Sequence, residues 1–180
     1  KTASSIFQNF NNMKSTNPSI NLIERLNECG KKLDFSNTTG VLSYIFTRAK
    51  ISHIPLLDFS KANNLNASFS RSAVENKKKI IVDDGNTYSN SFDYCDKLVD
   101  VTFEGVIASS ISFGWSPLNK KSITNIYNCL STSKTGQTLT LNKTAVNTAF
   151  GINVDNETTF PEGSEYYNIR HSRDNWNVVY

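Results

Sequence analysis

The sequence predicts an α+β protein built as a short solenoid, in which consecutive segments stack through a ladder of parallel strands. Phenylalanine recurs in two equal steps, from 46 to 69 and from 69 to 92, each time with a small residue three places later. The tetrapeptide Leu-Asp-Phe-Ser also occurs twice, beginning at Leu33 and at Leu57. Repeats of roughly 20 to 30 residues are typical of solenoids, because each repeat needs a neighbour to bury its apolar residues.

Short apolar runs follow each repeated phenylalanine and predict the strands of the ladder. These runs occupy residues 54–57, 80–82 and 98–103. The third run predicts a half-buried strand, since Asp100, Thr102 and Glu104 alternate with apolar residues at the period of two that such strands show. The repeat around Phe69 is predicted to be degenerate, because its lysine run at 77–79 replaces the expected apolar residues.

We expect a single domain over residues 1–180, with three parts. The first is a helical cap over 1–32, indicated by apolar residues on one face of a helix that begins near Ser19 and ends near Gly30. The second comprises degenerate 23-residue repeats over 33–115. The third is a helix-strand-helix-strand cap over 116–180. Its predicted elements are a helix that opens at Ser116-Pro117, a strand at 138–141, a helix at 143–150, a loop at 152–163, a helix at 165–173 and a strand at 176–180.

Composition and charge exclude several classes of protein. The net charge is only +3 and is spread thinly, whereas a nucleic-acid binder concentrates positive charge on one face, so we expect no nucleic-acid partner. The sequence contains no run of about 18 apolar residues, so we expect no membrane insertion. The chain begins with Lys1 rather than methionine, and we expect any targeting segment to have been removed before this residue.

The three cysteines, Cys29, Cys95 and Cys129, do not form the even, regular set of a disulfide framework. We expect all three to be small buried residues. One bridge with a remaining free thiol stays open, because the separation of the Cα atoms decides whether a bridge can form.

No pattern of residues predicts a metal, a cofactor or a catalytic centre. His53 and His171 are far apart in sequence and have no cysteine or carboxylate pair at ligand spacing. The run at 83–86, Asp-Asp-Gly-Asn, lacks the alternate acidic positions of a calcium loop and predicts a turn instead. We therefore expect a protein that is not an enzyme. A triad assembled from distant positions stays open and keeps a hydrolase as a minor alternative.

Two sets of residues are candidates for binding. Solenoids present one side chain per repeat on the strand face that points away from the core, which favours Asp100, Thr102 and Thr140 as binding residues. A patch of outward aromatic residues is the alternative, since rigid aromatics contribute much of the binding energy at interfaces. Trp115 is the least certain member of this patch, because it follows Phe92 at the same spacing that separates the repeated phenylalanines, and this spacing favours the core. The members of the patch are Tyr88, Tyr94, Trp115, Tyr166 and Tyr167.

The third repeat resembles the BspA-type (Treponema-type) leucine-rich repeat, in which a Phe and a Cys on the turn side precede a strand with alternating aliphatic residues. The matching residues are Phe92, Cys95, Leu98, Val101 and Phe103. The run 118–151 and the closing 175–178 are similar to the C-terminal region of leucine-rich-repeat proteins of gut bacteria and of their phages and prophages.

This resemblance implies a leucine-rich-repeat solenoid that is extracellular or exposed on a cell surface. It also implies adhesion to a protein or glycan on a host or neighbouring cell, without common catalytic residues. In the phage setting the resemblance implies a virion component of the tail that serves assembly or host attachment.

Overall fold

The computed structural model describes residues 33–35, 37–49, 53–54, 57–74, 76–77 and 79–180. The helical cap predicted for 1–32 lies outside these residues. The described chain is α+β, and its parallel strands form a β-solenoid of about four turns, which confirms the predicted fold class. We call one turn of the solenoid a coil.

Eight short strands of the described residues run along the sides of the coils. In chain order they are β1 (Leu33–Asp34), β2 (Gly40–Val41), β3 (His53–Ile54), β4 (Leu57–Asp58), β5 (Ala62–Asn64), β6 (Asn76–Lys77), β7 (Ile80–Val82) and β8 (Phe103–Gly105). They pair in parallel as three sheets, with the orders β1-β4-β7-β8, β2-β5 and β3-β6. Successive coils therefore pair through strands on more than one side of the solenoid.

The register of the first sheet follows the sequence repeat. Leu33 lies opposite Leu57, Leu57 opposite Ile80, and Ile80 opposite Phe103. The repeated Leu-Asp-Phe-Ser segments are thus neighbours in space, and the rings of Phe35 and Phe59 stack with their centroids 5.4 Å apart.

A column of stacked phenylalanine rings fills the interior along the solenoid axis. Ring centroids are 5.3 Å apart between Phe46 and Phe69, 5.1 Å between Phe69 and Phe92, and 4.8 Å between Phe92 and Phe113. The last step in sequence, from 92 to 113, is two positions shorter than the earlier steps, so Phe113 takes the place that the spacing predicted for Trp115. The expectation that Trp115 belongs to the core is therefore wrong. We call these four rings the inner column.

The turn that carries each ring has the same backbone in successive coils. Each turn contains two residues in the left-handed region, with φ between 52° and 63°. In successive turns the first of them is Tyr44, Ala67 and Asn90, and the second is Arg48, Arg71 and Tyr94. Hydrogen bonds join equivalent turns, as from the amide of Phe46 to the carbonyl oxygen of Ser68 at 2.7 Å. The turn around Phe69 is therefore as regular as its neighbours. The predicted degeneracy of this repeat rested on the lysine run at 77–79, which lies largely outside the described side chains.

Small polar side chains inside the turns bind the coil before them. The hydroxyl of Ser68 donates to the carbonyl oxygen of Leu42 at 2.8 Å, and that of Ser91 donates to Leu65 at 2.6 Å. The thiol of Cys95 donates to the carbonyl oxygen of Phe69 at 3.0 Å. Buried polar groups need such partners, and each bond also fixes how one coil sits on the next.

The C-terminal cap continues the stack with longer connections. Strands β9 (Ile111–Phe113), β10 (Gln137–Leu141) and β11 (Trp176–Val179) form a parallel sheet with the order β11-β10-β9. Helices α1 (Lys120–Cys129), α2 (Lys143–Phe150) and α3 (Glu165–His171) lie between them in sequence, with a 3₁₀ turn at Glu157–Thr159. The predicted order of helices and strands is confirmed, but α1 begins later than Ser116-Pro117, because the side chain of Asn119 accepts from the amide of Ser122 and caps it.

Helix α1 also ends the first sheet. The side-chain amide of Asn125 pairs with both backbone groups of Phe103: its Oδ1 accepts from the Phe103 amide at 2.7 Å, and its Nδ2 donates to the Phe103 carbonyl at 3.1 Å. The hydroxyl of Ser122 accepts from the amide of Val101 at 2.9 Å. These side chains take the place of a further strand at an edge that would otherwise leave backbone groups unpaired.

Candidate ligand-binding surface

An exposed row of side chains runs along the outside of the solenoid, parallel to the inner column. It consists of the residues two places after each column phenylalanine, and we call it the outer ladder: Arg48, Arg71, Tyr94 and Trp115. The left-handed backbone at Arg48, Arg71 and Tyr94 turns each of these side chains out of the interior. Tyr94 is 46% exposed and Trp115 is 55% exposed.

Three of the four members of the outer ladder stack on one another. The rings of Tyr94 and Trp115 lie 4.9 Å apart at an angle of 23°. On the other side of Tyr94, the guanidinium carbon of Arg71 lies 4.8 Å from the centre of the ring, which is cation–π geometry. Arg48 occupies the equivalent position one coil further, and stacked parallel strands are about 4.8 Å apart.

The positive charge of the outer ladder is not neutralised by the described part of the protein. Neither Arg48 nor Arg71 forms an ion pair with any of the described residues, whereas Lys79, Lys120 and Lys143 each pair with a carboxylate. Like charges on adjacent strands repel each other. The ladder thus joins a stacked aromatic pair to two arginines that have no ionic partner among the described residues.

Comparison of the chain with family models, with curated proteins and with solved structures finds no match. The arrangement of the described residues is therefore the basis for assigning a function, and the resemblance to BspA-type repeats stays a prediction.

A signal for the outer ladder is present in the sequence, but the regular step between the first three phenylalanines hides part of it. The pattern is Phe-x-Arg at 46 and 69, Phe-x-Tyr at 92 and Phe-x-Trp at 113. The fourth copy comes two positions early, so a search with a fixed period passes over it. An aromatic or cationic residue two places after a phenylalanine marks all four copies, although Phe59-Ser60-Lys61 has the same pattern outside the ladder.

Two of the five members of the predicted aromatic patch are exposed, and a binding role for them stays a prediction. Tyr94 and Trp115 are exposed and stacked, whereas Tyr88 and Tyr166 are each only 1% exposed and belong to the core. Burial raises the pKa of Tyr88 above its ordinary value, with a further contribution from the Asp83 carboxylate, and burial likewise raises the pKa of Tyr166. Tyr167 is half-buried against the ring of His171, at 4.1 Å between centroids.

The three residues predicted to bind from the strand faces lie in two different places. Asp100 and Thr102 lie three residues and one residue before β8, so the observed strand, unlike the one that the sequence predicted at 98–103, does not include them. The carboxylate of Asp100 accepts a hydrogen bond from the Ser122 hydroxyl at 3.3 Å. Thr140 is a half-buried residue of β10, in the C-terminal sheet. A binding role for these residues stays a prediction.

A groove and a cleft are two concave surfaces among the described residues. The groove, about 350 Å³, lies between the N-terminal ends of α1 and α2 and is lined by Pro117, Ala145 and Ala149 among others. The cleft, about 460 Å³, contains Asp83 and Arg173. The guanidinium group of Arg173 already donates to two backbone carbonyl oxygens, those of Leu130 and Asn128.

Cys95 and Cys129 are the two cysteines in the described part of the chain, and Cys29 lies outside it. Cys95 is buried as predicted, whereas Cys129, at the edge of the cleft, is only half-buried. Burial raises the pKa of the Cys129 thiol, although Arg173 opposes this effect. A protonated thiol is a poor nucleophile, so Cys129 does not have the character of a reactive cysteine.

The part of the chain that the structure describes contains no cluster of three or more histidine, cysteine, aspartate or glutamate side chains that could hold a metal ion. His171 pairs instead with Asp174 at 2.9 Å. The side chain of His53 is not among those described. None of the helices in the described residues has the length and apolar character needed to cross a membrane.

Proposed function

We propose that the protein is a non-catalytic binding module that attaches to a glycan or a protein outside the cell, and that the outer ladder is its binding surface. The observation that carries this proposal is the exposed stack of Tyr94 and Trp115. Two large rings that lie flat on each other in water present a rigid apolar surface at low conformational cost, and such surfaces supply much of the energy of recognition.

The chemistry of the ladder is that of binding rather than catalysis. Guanidinium groups are donors only, and the indole of Trp115 has a single donor, so these side chains hold a partner and do not attack it. The Tyr94 ring is covered by Trp115 on one face and by Arg71 on the other, so the face of Trp115 that points away from Tyr94 is the one that can stack on a sugar ring or on a flat protein side chain. The resemblance to leucine-rich-repeat proteins agrees with this role and supports a location on a cell surface or a virion.

A binding screen tests the proposal directly. The intact chain is applied to a glycan array and to a panel of extracellular proteins, and each hit is measured again with Trp115→Ala and Tyr94→Ala. We expect both substitutions to weaken binding at least about fivefold, which corresponds to the loss of roughly 1 kcal/mol or more.

Tyr44→Ala is the matched control. Tyr44 is 47% exposed and also has a left-handed backbone, but it stacks on no ring among the residues that the structure describes. Unchanged binding by this variant is expected. Equal binding by Trp115→Ala and the parent chain, or a screen without any hit, would overturn the proposal.

A further inference from the structure

We infer that the ligand is an extended peptide segment of a partner protein. This segment places an apolar side chain in the groove between α1 and α2, packs on Trp115 and pairs a carboxylate with Arg71. The inference rests on the function proposed above and names the class of partner. Three features of the described residues support it, namely the position of the groove, the lining of the groove and the unpaired charge of the outer ladder.

The groove begins at the aromatic end of the outer ladder. One wall starts at Pro117, two residues after Trp115. The other wall starts at Asn142, whose side-chain amide donates to the carbonyl oxygen of Gly114, the residue before Trp115, at 3.0 Å. Because both walls start next to Trp115, a ligand that covers the open face of this ring also reaches the groove.

The lining of the groove favours an apolar side chain. The surface that it exposes is mainly carbon, and Pro117, Ala145 and Ala149 contribute to it. Its two asparagines are already engaged as helix caps: Asn119 accepts from the amide of Ser122, and Asn142 accepts from the amide of Ala145, each at 2.9 Å. An aliphatic side chain loses contact with water here at little cost, whereas the hydroxyl groups of a sugar would lose hydrogen bonds.

The unpaired charge of the ladder favours a carboxylate on the same segment. Arg48 and Arg71 have no ionic partner among the described residues, whereas Lys120, which lines the groove, already pairs with Glu165. The planar fork of a guanidinium group matches a carboxylate. The arginines alone would accept any polyanion. The groove selects a peptide, because nucleic acids and acidic polysaccharides have no aliphatic side chain to place in it.

The spacing of the two contacts fits an extended peptide chain. The ring of Tyr94 lies 4.9 Å from that of Trp115 on one side and 4.8 Å from the guanidinium carbon of Arg71 on the other. Two such steps equal about three residues of an extended chain, at roughly 3.3 Å per residue. The groove lies beyond Trp115, so we expect the carboxylate about four to six residues from the apolar side chain. Tyr94, covered on both faces, supports Trp115 and meets the peptide only at its edge.

Selection of peptides by the intact chain tests the inference without assuming a sequence. The probe is a phage-displayed library of random linear peptides of about 12 residues, long enough to span the ladder and the groove when extended. We expect the enriched peptides to share an aliphatic residue and, about four to six positions away, an aspartate or glutamate. An enriched peptide is then synthesised and titrated by fluorescence anisotropy. We expect alanine at its aliphatic position to weaken binding about tenfold.

Substitutions in the protein locate both ends of the peptide, with circular dichroism confirming that each variant is folded. Ala149→Leu fills the groove, and we expect it to weaken binding at least about tenfold. Asn128→Leu adds the same side chain at an exposed position of α1 that does not line the groove, and we expect a change of less than about twofold.

A double-mutant cycle tests the ionic contact. We expect Arg71→Ala to weaken binding of the acidic peptide about fivefold. The same substitution should have no further effect on a peptide in which the acidic residue is replaced by its amide, because the coupling between two groups disappears when either is absent. Equal effects on the two peptides would overturn the pairing of Arg71 with the carboxylate.

The remaining outcomes distinguish the inference from the proposed function. A library without an enriched peptide, or an enriched peptide whose binding is unchanged by Ala149→Leu, would overturn the inference. Dextran sulfate is the polyanion control, and binding as tight as that of the peptide, with no effect of Ala149→Leu, would overturn it too. Trp115→Ala then decides the proposed function, which stands if this substitution weakens binding to the hits of the glycan and protein screen and fails if it does not.

Discussion

The inner column and the outer ladder lie two residues apart in every coil, yet they differ in composition and in surroundings. Each inner position is phenylalanine, and each of Phe46, Phe69, Phe92 and Phe113 is at most 2% exposed. The outer positions are two arginines, a tyrosine and a tryptophan, all of them exposed. One side of the same turn is uniform, and the other is varied.

The surroundings explain the difference. A ring within the inner column packs between the rings of adjacent coils, so a change of shape at one coil disturbs the packing of its neighbours. An outer side chain faces water on one side, and many shapes fit there. The contrast teaches that the inner positions specify the stack, while the outer positions are available to specify what the stack binds. Stability and binding should therefore respond to different substitutions.

The largest expected effect is on stability, from the inner side. Phe92→Ala removes a ring that stacks on both Phe69 and Phe113, and we expect the free energy of unfolding to fall by about 3–5 kcal/mol, because a large buried side chain leaves a cavity. Urea denaturation followed by circular dichroism measures this change.

Trp115→Ala is the outer counterpart in the same experiment. We expect it to lower the free energy of unfolding by less than about 1 kcal/mol, since exposed aromatic contacts contribute little to stability. A loss below about 1 kcal/mol for Phe92→Ala, or a larger loss for Trp115→Ala than for Phe92→Ala, would contradict the division between an inner side for stability and an outer side for binding.

A medium effect is expected at the edge where the first sheet ends. Asn125→Ala leaves the amide and carbonyl of Phe103 without their side-chain partners, and we expect a loss of about 1–3 kcal/mol. Asn128→Ala makes the same change in helix propensity at an exposed position of α1, so it isolates the two hydrogen bonds. Equal melting curves for the two variants would show that Asn125 does not stabilise the edge.

The sequence predicts much of this architecture because solenoid repeats act locally. Phe46, Phe69 and Phe92 reveal the stack, since each needs the same environment at the same place in its coil. The C-terminal elements are predicted for a similar reason: Gly151, with φ of 66°, ends α2 through a left-handed residue, and apolar periodicity marks the helices. These signals lie within a few residues of the structure that they specify.

Features that depend on contacts between distant residues are missed. The shortened step between Phe92 and Phe113 places Phe113 rather than Trp115 in the inner column, and no local pattern at Trp115 reports it. The match between Asn125 and the edge at Phe103 joins a helix to a strand 22 residues away. The sequence predicted an outward position for Tyr88. Its hydroxyl is its one polar group, however, and the structure buries the ring.

The smallest expected effect sharpens the contrast from the outer side. Arg48 has a left-handed backbone, φ 57°, which costs roughly 1–2 kcal/mol for residues other than glycine. Glycine removes this strain but costs about 0.5–1 kcal/mol of conformational entropy. We therefore expect Arg48→Gly to raise the free energy of unfolding by about 0.5 kcal/mol. Ser70→Gly, at a neighbouring position that lacks a positive φ, should lower it.

Arg71→Gly completes the comparison. It relieves the same backbone strain, but it also removes the contact between the Arg71 guanidinium group and the Tyr94 ring, which is worth about 0.5–1 kcal/mol at an exposed site. Its stability should stay within a few tenths of a kcal/mol of the parent chain, roughly 0.5 kcal/mol below Arg48→Gly. Urea melts of the four proteins measure these differences. If Arg48→Gly is destabilised as much as Ser70→Gly, the left-handed turn is not strained. If it is stabilised, the arginine side chains of the outer ladder occupy positions where glycine would serve the fold better, as expected of residues whose role is to bind.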